Sequence, residues 1–552
     1  MKAAKVRIQV DRNVETPMRD GVILRCDIYR LPSKRLPSLL VRLPYGKESL
    51  FHANVLNPLT AASEGYAVIV QDTRGCFASE GNWVPYKNEA RDGADTIEWI
   101  ISQDWSDGKV GMYGASYYGY TQLAAASQSP NGLAALAPFI SAGIGDPSSI
   151  QSAVPEFGSR ILWDLQMQLA DSVRLHDTSK ASAEIEISKT IDHLGISGFR
   201  QLSLVRLGLI GVESLAMPLR PYVTYETEGI LQDVIYEPHS VPALNIGGWY
   251  DMFLPETIKS YSALRKSNVP TRLVIGPWTH MDRTNPIGEL VFGRDADANQ
   301  IGSATGLTGL QLDWFNRLLR DNVTEFIDAS PVRIFVMGIN KWRLEAEWPL
   351  ERAQETAIYL QPGHVLSFDY PKHSSPDKFV FDPANPVPTI GGATLLTPEY
   401  PAGPLDQRAI SGRSDVLTYY SNPLVADIEV TGPLRARIWT RSSAPTTDFV
   451  VRLLDVWPDG REFNISDGIN RIDSDADTVT DVHCSEIDLR ATSNVFKCGH
   501  RIGLHVTSSS FPQWEPNPNA HTKGSPAIAH QQIFHDAEHP SHLILPIASV
   551  GG

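Results

Sequence analysis

Between Lys109 and Gln128 the chain reads KVGMYGASYYGYTQLAAASQ: an apolar run, a turn of small residues, then a run of helical character. A strand that breaks through such a turn directly into a helix commits its surroundings to a layered α/β arrangement, with helices covering a mainly parallel sheet. The preceding segments repeat the alternation, in LLVRLPYG (39–46), YAVIVQDTRG (66–75) and the amphipathic ARDGADTIEWIISQ (90–103). It returns in VPALNIGGWYD (241–251), TRLVIGPWTH (271–280) and LTGLQLDWFNRLLRD (307–321).

The intervening stretch has a different texture. IQSAVPEFGSRILWDLQMQLADSV and SAEIEISKTIDHL carry helical periodicity with no β-rich run between them. Residues 144–239 are therefore expected to form a helical subdomain inserted into an α/β domain made of 1–143 and 240–350. Beyond 351 the pattern changes to short alternating runs between Gly, Pro and Asp turns, such as RARIWTR, DFVVRLLDVW, RIGLHVTSSS and HLILPIA. That pattern predicts a β-sandwich over 351–552, with the Pro- and Gly-rich segment 382–404 as a long ordered loop in or beside it. A length of 552 residues agrees with two or three domains rather than a single core.

Composition narrows the function classes. Forty-eight Lys and Arg against 63 Asp and Glu leave a net charge of −15, which argues against nucleic acid or an anionic membrane as the main partner. The apolar runs are too short to span a bilayer, and the amino terminus carries basic residues without a continuous apolar segment, so a cytoplasmic location is expected. The four cysteines, Cys26, Cys76, Cys484 and Cys498, form no CxxC pair and are expected to be reduced. The glycosylation-type matches at Asn322 and Asn464 are read as chance.

Ser116 sits in the small-residue turn, between Gly114 and Ala115 on one side and Gly119 on the other. A serine hydroxyl becomes a useful nucleophile when a sharp turn exposes it and a base takes its proton. The usual elbow is G-x-S-x-G, whereas here the second glycine comes one residue late. An ordinary turn serine is therefore an equal reading of this stretch alone. Chain order changes the balance, because Asp251 and His280 each end an apolar run and come in the order expected for a hydrolase of this class. Asp251 would orient the imidazole, and His280 would take the Ser116 proton and pass it to the leaving group. The backbone N–H of Tyr117 would be one oxyanion donor. Tyr45, after an early strand, is either a second donor through its phenol or a packing residue.

RLPYGK, QDTRGCFASEG, GASYYGYTQ, GGWYD and GPWTH together resemble the cocaine esterase family, which is related to the X-prolyl dipeptidyl aminopeptidases and the α-amino acid ester hydrolases. The resemblance extends through the tail, in SDVLTYYSNPL and CGHRIGLHVTSSSFPQWEPNPN. It implies an α/β-hydrolase fold with a helical cap and a C-terminal jelly-roll β-sandwich. It further implies hydrolysis of an ester or amide through an acyl-enzyme, with Ser116, Asp251 and His280 as the triad and Tyr45 with Tyr117 as the oxyanion hole. Trp163 and Phe253 fall where the family lines its acyl pocket, with a place in the cap's own core as the alternative for Trp163. No metal or organic cofactor is implied, the partner is a small-molecule ester, and a homodimer is the expected assembly.

Amino-acid ester hydrolases carry acidic residues just after the triad aspartate, to hold a substrate ammonium. Here Met252, Phe253 and Leu254 follow Asp251, which favours an uncharged apolar or aromatic acyl group. The alternatives are an acyltransferase with the same triad, an aminopeptidase or amino-acid ester hydrolase, and a binding protein that keeps the fold without the chemistry. His52 is assigned to the surface, Asp72 and Arg74 to a structural ion pair or loop anchor, and Cys76 to packing.

Overall fold

The computed structural model describes residues 7–32, 34–142, 154, 156–174, 181–224, 239–301, 306–322, 330–474, 481–521 and 525–549. Its amino-terminal half is built on a ten-stranded sheet. The strands are β1 (Gln9–Pro17), β2 (Ile23–Arg30), β3 (Leu36–Leu43), β4 (Ala67–Asp72), β5 (Ser106–Ala115), β6 (Leu133–Phe139), β7 (Ala243–Tyr250), β8 (Thr271–Thr279), β9 (Val332–Val336) and β10 (Lys341–Glu345). They lie side by side in the order β1-β2-β4-β3-β5-β6-β7-β8-β9-β10. The run from β4 to β9 is parallel, and antiparallel strands close both edges.

Both faces of this sheet are covered, which is why its inner strands read as unbroken apolar runs. In β3 the side chains of Leu39, Val41 and Leu43 enter one core and those of Leu36 and Leu40 the other. Helices α1 (Pro58–Ser63) and α8 (Gly306–Leu319) pack on the first face, α2 (Glu89–Ile101) and α3 (Ser116–Ser127) on the second, and α7 (Leu254–Lys266) lies along β7. The described part of the inserted segment is helical, with α4 (Gly158–Arg174), α5 (Ala181–His193) and α6 (Phe199–Arg206) around a separate small core containing Leu165, Leu194, Phe199 and Leu202. The expected boundary at 143/144 lies outside the described residues, and the one at 239/240 falls just before β7.

The order of strands fixes where chemistry can occur. The chain passes from β3 outward to β4, then returns to place β5 on the other side of β3. At that reversal the loops leaving β3 and β5 diverge and leave a crevice at their carboxyl ends. Tyr45 comes after β3 and Ser116 after β5. Strands β7 and β8, which are also neighbours, end beside Asp251 and His280. Ser116, Asp251 and His280 meet because their strands all point the same way, and Tyr45 leaves the sheet at the same end.

The carboxyl-terminal half is a β-sandwich. Its strands are β11 (Ala353–Gln361), β12 (Val365–Ser367), β13 (Asp377–Phe381), β14 (Leu417–Ser421), β15 (Ile428–Ser442), β16 (Thr446–Val456), β17 (Glu462–Asp473), β18 (His483–Phe496), β19 (Arg501–Thr507), β20 (Ala529–Phe534) and β21 (His542–Ala548). Phe379 of β13 and Ile465 of β17, from the two ends of the hydrogen-bonded path, share one core, so the path closes face to face. The segment 382–404 is pinned along the sandwich, where Thr389 N–H donates to Phe511 O at 2.7 Å and Gly392 N–H to Gly403 O at 2.8 Å. Asn464 is buried and accepts from Leu405 N–H at 2.7 Å, so its side chain is closed to glycosylation.

The halves are joined by main chain. Met337, just after β9, donates to Ser493 O and accepts from Val495 N–H of β18, both at 2.9 Å. Gly338 comes next with φ of 82°, and a Cβ there would stand 2.2 Å from Val495 O. Tyr250, next to Asp251, donates its phenolic hydrogen to Asn464 O at 3.2 Å.

Candidate active site

Strand β5 turns into α3 without a loop, and Ser116 carries the strain of that turn at φ of 53°. Its amide donates to Ile140 O at 3.2 Å, which holds the turn against the end of β6. Gly114 is required on backbone grounds: its φ is 147°, and a Cβ would lie 2.4 Å from Tyr118 O. The displaced second glycine has its own reason. A Cβ on Gly119 would lie 2.6 Å from that of Ser141, so glycine at this position lets α3 approach the segment after β6. The position two after Ser116 is then free to hold Tyr118, whose ring meets Tyr45 edge-on at 6.1 Å and whose hydroxyl donates to Phe51 O at 3.3 Å.

Ser116, His280 and Asp251 form a continuous chain. His280 Nδ1 lies 2.8 Å from Asp251 Oδ1, and His280 Nε2 lies 3.0 Å from Ser116 Oγ. An ionised carboxylate only accepts, so Nδ1 carries the hydrogen and Nε2 is left as the lone-pair nitrogen facing the hydroxyl. Asp251 and His280 are both buried. The ring of Phe253 stands edge-on to the imidazole at 5.4 Å and screens it.

Tyr45 after β3 and Tyr117 after β5 both contact Trp163 of the cap. Tyr45 accepts a hydrogen bond from Trp163 Nε1 of the cap at 3.2 Å, and burial pushes its phenol well above the usual range. The Tyr45 loop is fixed by Lys47, whose Nζ lies 3.1 Å from Asp72 Oδ2 and whose amide donates to Asp72 Oδ1 at 2.6 Å. Asp72 and Arg74 thus do not pair with each other. Asp72 anchors the Tyr45 loop, while Arg74 turns toward α2 and binds Asp92 at 2.6 Å. His52 is not at the surface: it is buried, and its Nε2 lies 3.0 Å from Lys47 O inside the folded loop. Cys76 is buried, and no disulfide joins cysteines among the described residues.

Tyr117 is held at its far end. Its hydroxyl donates to Glu89 Oε1 at 2.9 Å and accepts from Tyr86 N–H at 2.9 Å. Glu89 is buried and in turn receives Arg42 Nη1 at 3.0 Å, which is buried as well. Around Tyr117 stand the rings of Tyr86 at 5.0 Å, Trp163 at 6.0 Å and Trp83 at 6.1 Å. Trp163 therefore contacts Tyr45 and Tyr117 together, rather than serving only the cap's own core. Sequence reasoning missed Arg42, Glu89, Trp83 and Tyr86. The cluster WVPY between two loops was the available signal for the last two. A half-buried serine hydroxyl bonded to an imidazole, and an imidazole bonded to a carboxylate, are the parts from which a nucleophile for acyl transfer is built.

Known proteins resemble the chain in both sequence and fold. Residues 20–282 match the X-Pro dipeptidyl-peptidase (S15 family), and residues 324–544 match the X-Pro dipeptidyl-peptidase C-terminal non-catalytic domain. The chain is 36% identical to the cocaine esterase of Rhodococcus sp. over 593 aligned residues, covering 98% of each protein. In fold it is similar to an aminopeptidase from a marine sediment Thaumarchaeota archaeon, 24% identical with a TM-score of 0.76 over 100% of this chain and 98% of that one. It is also similar in fold to an α-amino acid ester hydrolase, 23% identical with a TM-score of 0.71 over 98% of this chain and 96% of that one.

Proposed function

The chain belongs to the cocaine esterase family of serine hydrolases, and from that premise we propose that it cleaves esters of small apolar or aromatic carboxylic acids through an acyl-enzyme on Ser116. The observation that carries the reading is the unbroken chain Ser116–His280–Asp251, at 3.0 and 2.8 Å. His280 Nε2 takes the hydroxyl proton as Ser116 Oγ attacks the ester carbonyl. The imidazolium that forms faces the Asp251 carboxylate, and the oxyanion is met by Tyr117 N–H and the Tyr45 hydroxyl. The alkoxide leaves with the proton from His280, and a water activated by the same nitrogen then releases the acid.

Aromatic side chains near the nucleophile support the acyl preference. Phe253 lies against His280, and Trp163 lies between Tyr45 and Tyr117. A cationic α-amino group has little to bind here. Glu256, the first acidic residue after Asp251, is buried in a pocket lined by Leu123, Pro138, Ser141, Asn245, Thr257 and Ser260. Glu156 at the start of the cap is engaged by Arg490 at 3.5 Å and by Ser159 at 3.1 Å.

The test is intact-protein mass after treatment with a fluorophosphonate, for the wild type and Ser116→Ala, then turnover of p-nitrophenyl acetate, p-nitrophenyl benzoate and alanine p-nitroanilide. One adduct on Ser116 and turnover of the two esters alone are expected. An adduct elsewhere, or preference for the aminoacyl substrate, would overturn the reading. A cytoplasmic location and a homodimer belong to the same proposal, to be checked by cell fractionation and light scattering. No helix among the described residues is long and apolar enough to cross a membrane.

A further inference from the structure

The indole nitrogen of Trp163 lies 3.2 Å from the hydroxyl oxygen of Tyr45. Indole N–H is only a donor, so the direction of this bond is settled by chemistry: Trp163 gives and Tyr45 accepts. A phenol has a single hydrogen, and no acceptor for it is found among the described residues bonded to Tyr45. With one lone pair occupied by Trp163, that hydrogen is left for an acceptor other than the indole. Tyr118 donates its own hydrogen to Phe51 O and Tyr117 to Glu89, so neither of these hydroxyls donates to Tyr45.

We propose that Trp163 is a positioning residue of the oxyanion hole: by holding a lone pair of Tyr45, its N–H directs the Tyr45 hydrogen to the oxyanion formed on Ser116. The proposal rests on the reading of Tyr45 as an oxyanion donor. Accepting one hydrogen bond also polarises the O–H and makes it a stronger donor. The ring of Trp163 serves the second donor. It stacks on Tyr117 at 6.0 Å and 24°, and Tyr117 is fixed beyond it by Glu89. One cap side chain therefore touches the residues supplying both donors, and the hole is complete only with α4 in place.

This role differs from lining an acyl pocket, and the two separate in kinetics. A pocket residue changes binding and turnover according to the size of the acyl group. A residue acting through the oxyanion changes kcat alike for every ester and acts only while Tyr45 has a hydroxyl. The experiment measures kcat and KM for p-nitrophenyl acetate and p-nitrophenyl benzoate with Trp163→Phe, Tyr45→Phe and the double variant. Trp163 is also replaced by benzothienylalanine, which keeps the bicyclic ring and loses only the N–H.

Tyr45→Phe is expected to lower kcat about 10²-fold, as loss of an oxyanion donor does. Trp163→Phe and the benzothienyl variant are expected to lower it about tenfold for both esters with KM unchanged, and to add nothing in the Tyr45→Phe background. Equal losses with and without the Tyr45 hydroxyl, or a loss for benzoate alone, would overturn the proposal. A benzothienyl variant as active as the wild type would overturn it too, with folding confirmed by near-ultraviolet circular dichroism. An unchanged kcat in Tyr45→Phe would instead remove Tyr45 from the hole, and the role of Trp163 with it.

Discussion

The hydroxyl of Tyr117 donates to the carboxylate of Glu89 at 2.9 Å, so the residue next to the nucleophile is fixed from the interior of the sheet domain. Glu89 also neutralises the buried guanidinium of Arg42. Glu89→Gln removes one partner of a buried pair and is expected to cost about 3–5 kcal/mol of stability, read from urea unfolding. Ester turnover by the remaining folded enzyme should fall as well, because glutamine has one acceptor oxygen where Tyr117 and Arg42 each use one.

Asp251→Asn replaces an acceptor by an amide that can donate to His280 Nδ1. The imidazole would then carry its hydrogen on Nε2, facing Ser116 with the wrong atom. A fall in kcat of about 10⁴-fold with little change in stability is expected, measured by steady-state hydrolysis alongside thermal unfolding.

Gly119→Ala places a methyl 2.6 Å from Ser141 Cβ and 2.7 Å from its Oγ. Overpacking of this kind costs about 1–3 kcal/mol, and here it also pushes on the first turn of α3. Both stability and fluorophosphonate labelling rate should drop. Adding Ser141→Gly should recover part of each, and no recovery would mean that the strain lies elsewhere.

Glu256 is buried with Lys259 Nζ 3.7 Å from its Oε1, and burial pushes its carboxyl from 4.5 to about 7 in spite of that cation. Between those values the folded chain holds a proton that the unfolded chain releases, so stability from this group declines as pH rises through the window and then levels off. Glu256→Gln lacks the proton. Its stability relative to the wild type should rise from pH 5 to pH 8, by on the order of 3 kcal/mol, with chemical denaturation at each pH as the measurement. A difference independent of pH would show that the carboxylate is ionised in the folded state.

Residues at strand ends were legible because a strand buried on both faces announces itself as an apolar run, and the residues just past its carboxyl end lie at the sheet's edge. Ser116, Asp251 and His280 are all of this kind. Arg42 and Glu89 were not, since they meet 47 residues apart and only the pairing of β3 with β5 and the seating of α2 bring them together. His52 misled for the opposite reason. A polar residue in a loop reads as exposed, but this loop is folded inward by Lys47 and Asp72. The late glycine of the elbow weakened a pattern match because the pattern records spacing, whereas the close approach to Ser141 is a contact between separate segments.

The seam between the halves of the molecule has a consequence for how such a protein can be inherited. Modules that recombine freely meet through side chains, which substitution can adapt to a new neighbour. Here Met337 and β18 meet through amides and carbonyls, and Gly338 leaves no room for a side chain beside Val495 O. A gene boundary drawn near residue 350 would give each product an unsatisfied ladder and would take from Tyr250, beside Asp251, the carbonyl of Asn464 to which it binds. Each half thus supplies main-chain partners that the other needs, and separating them is expected to cost both.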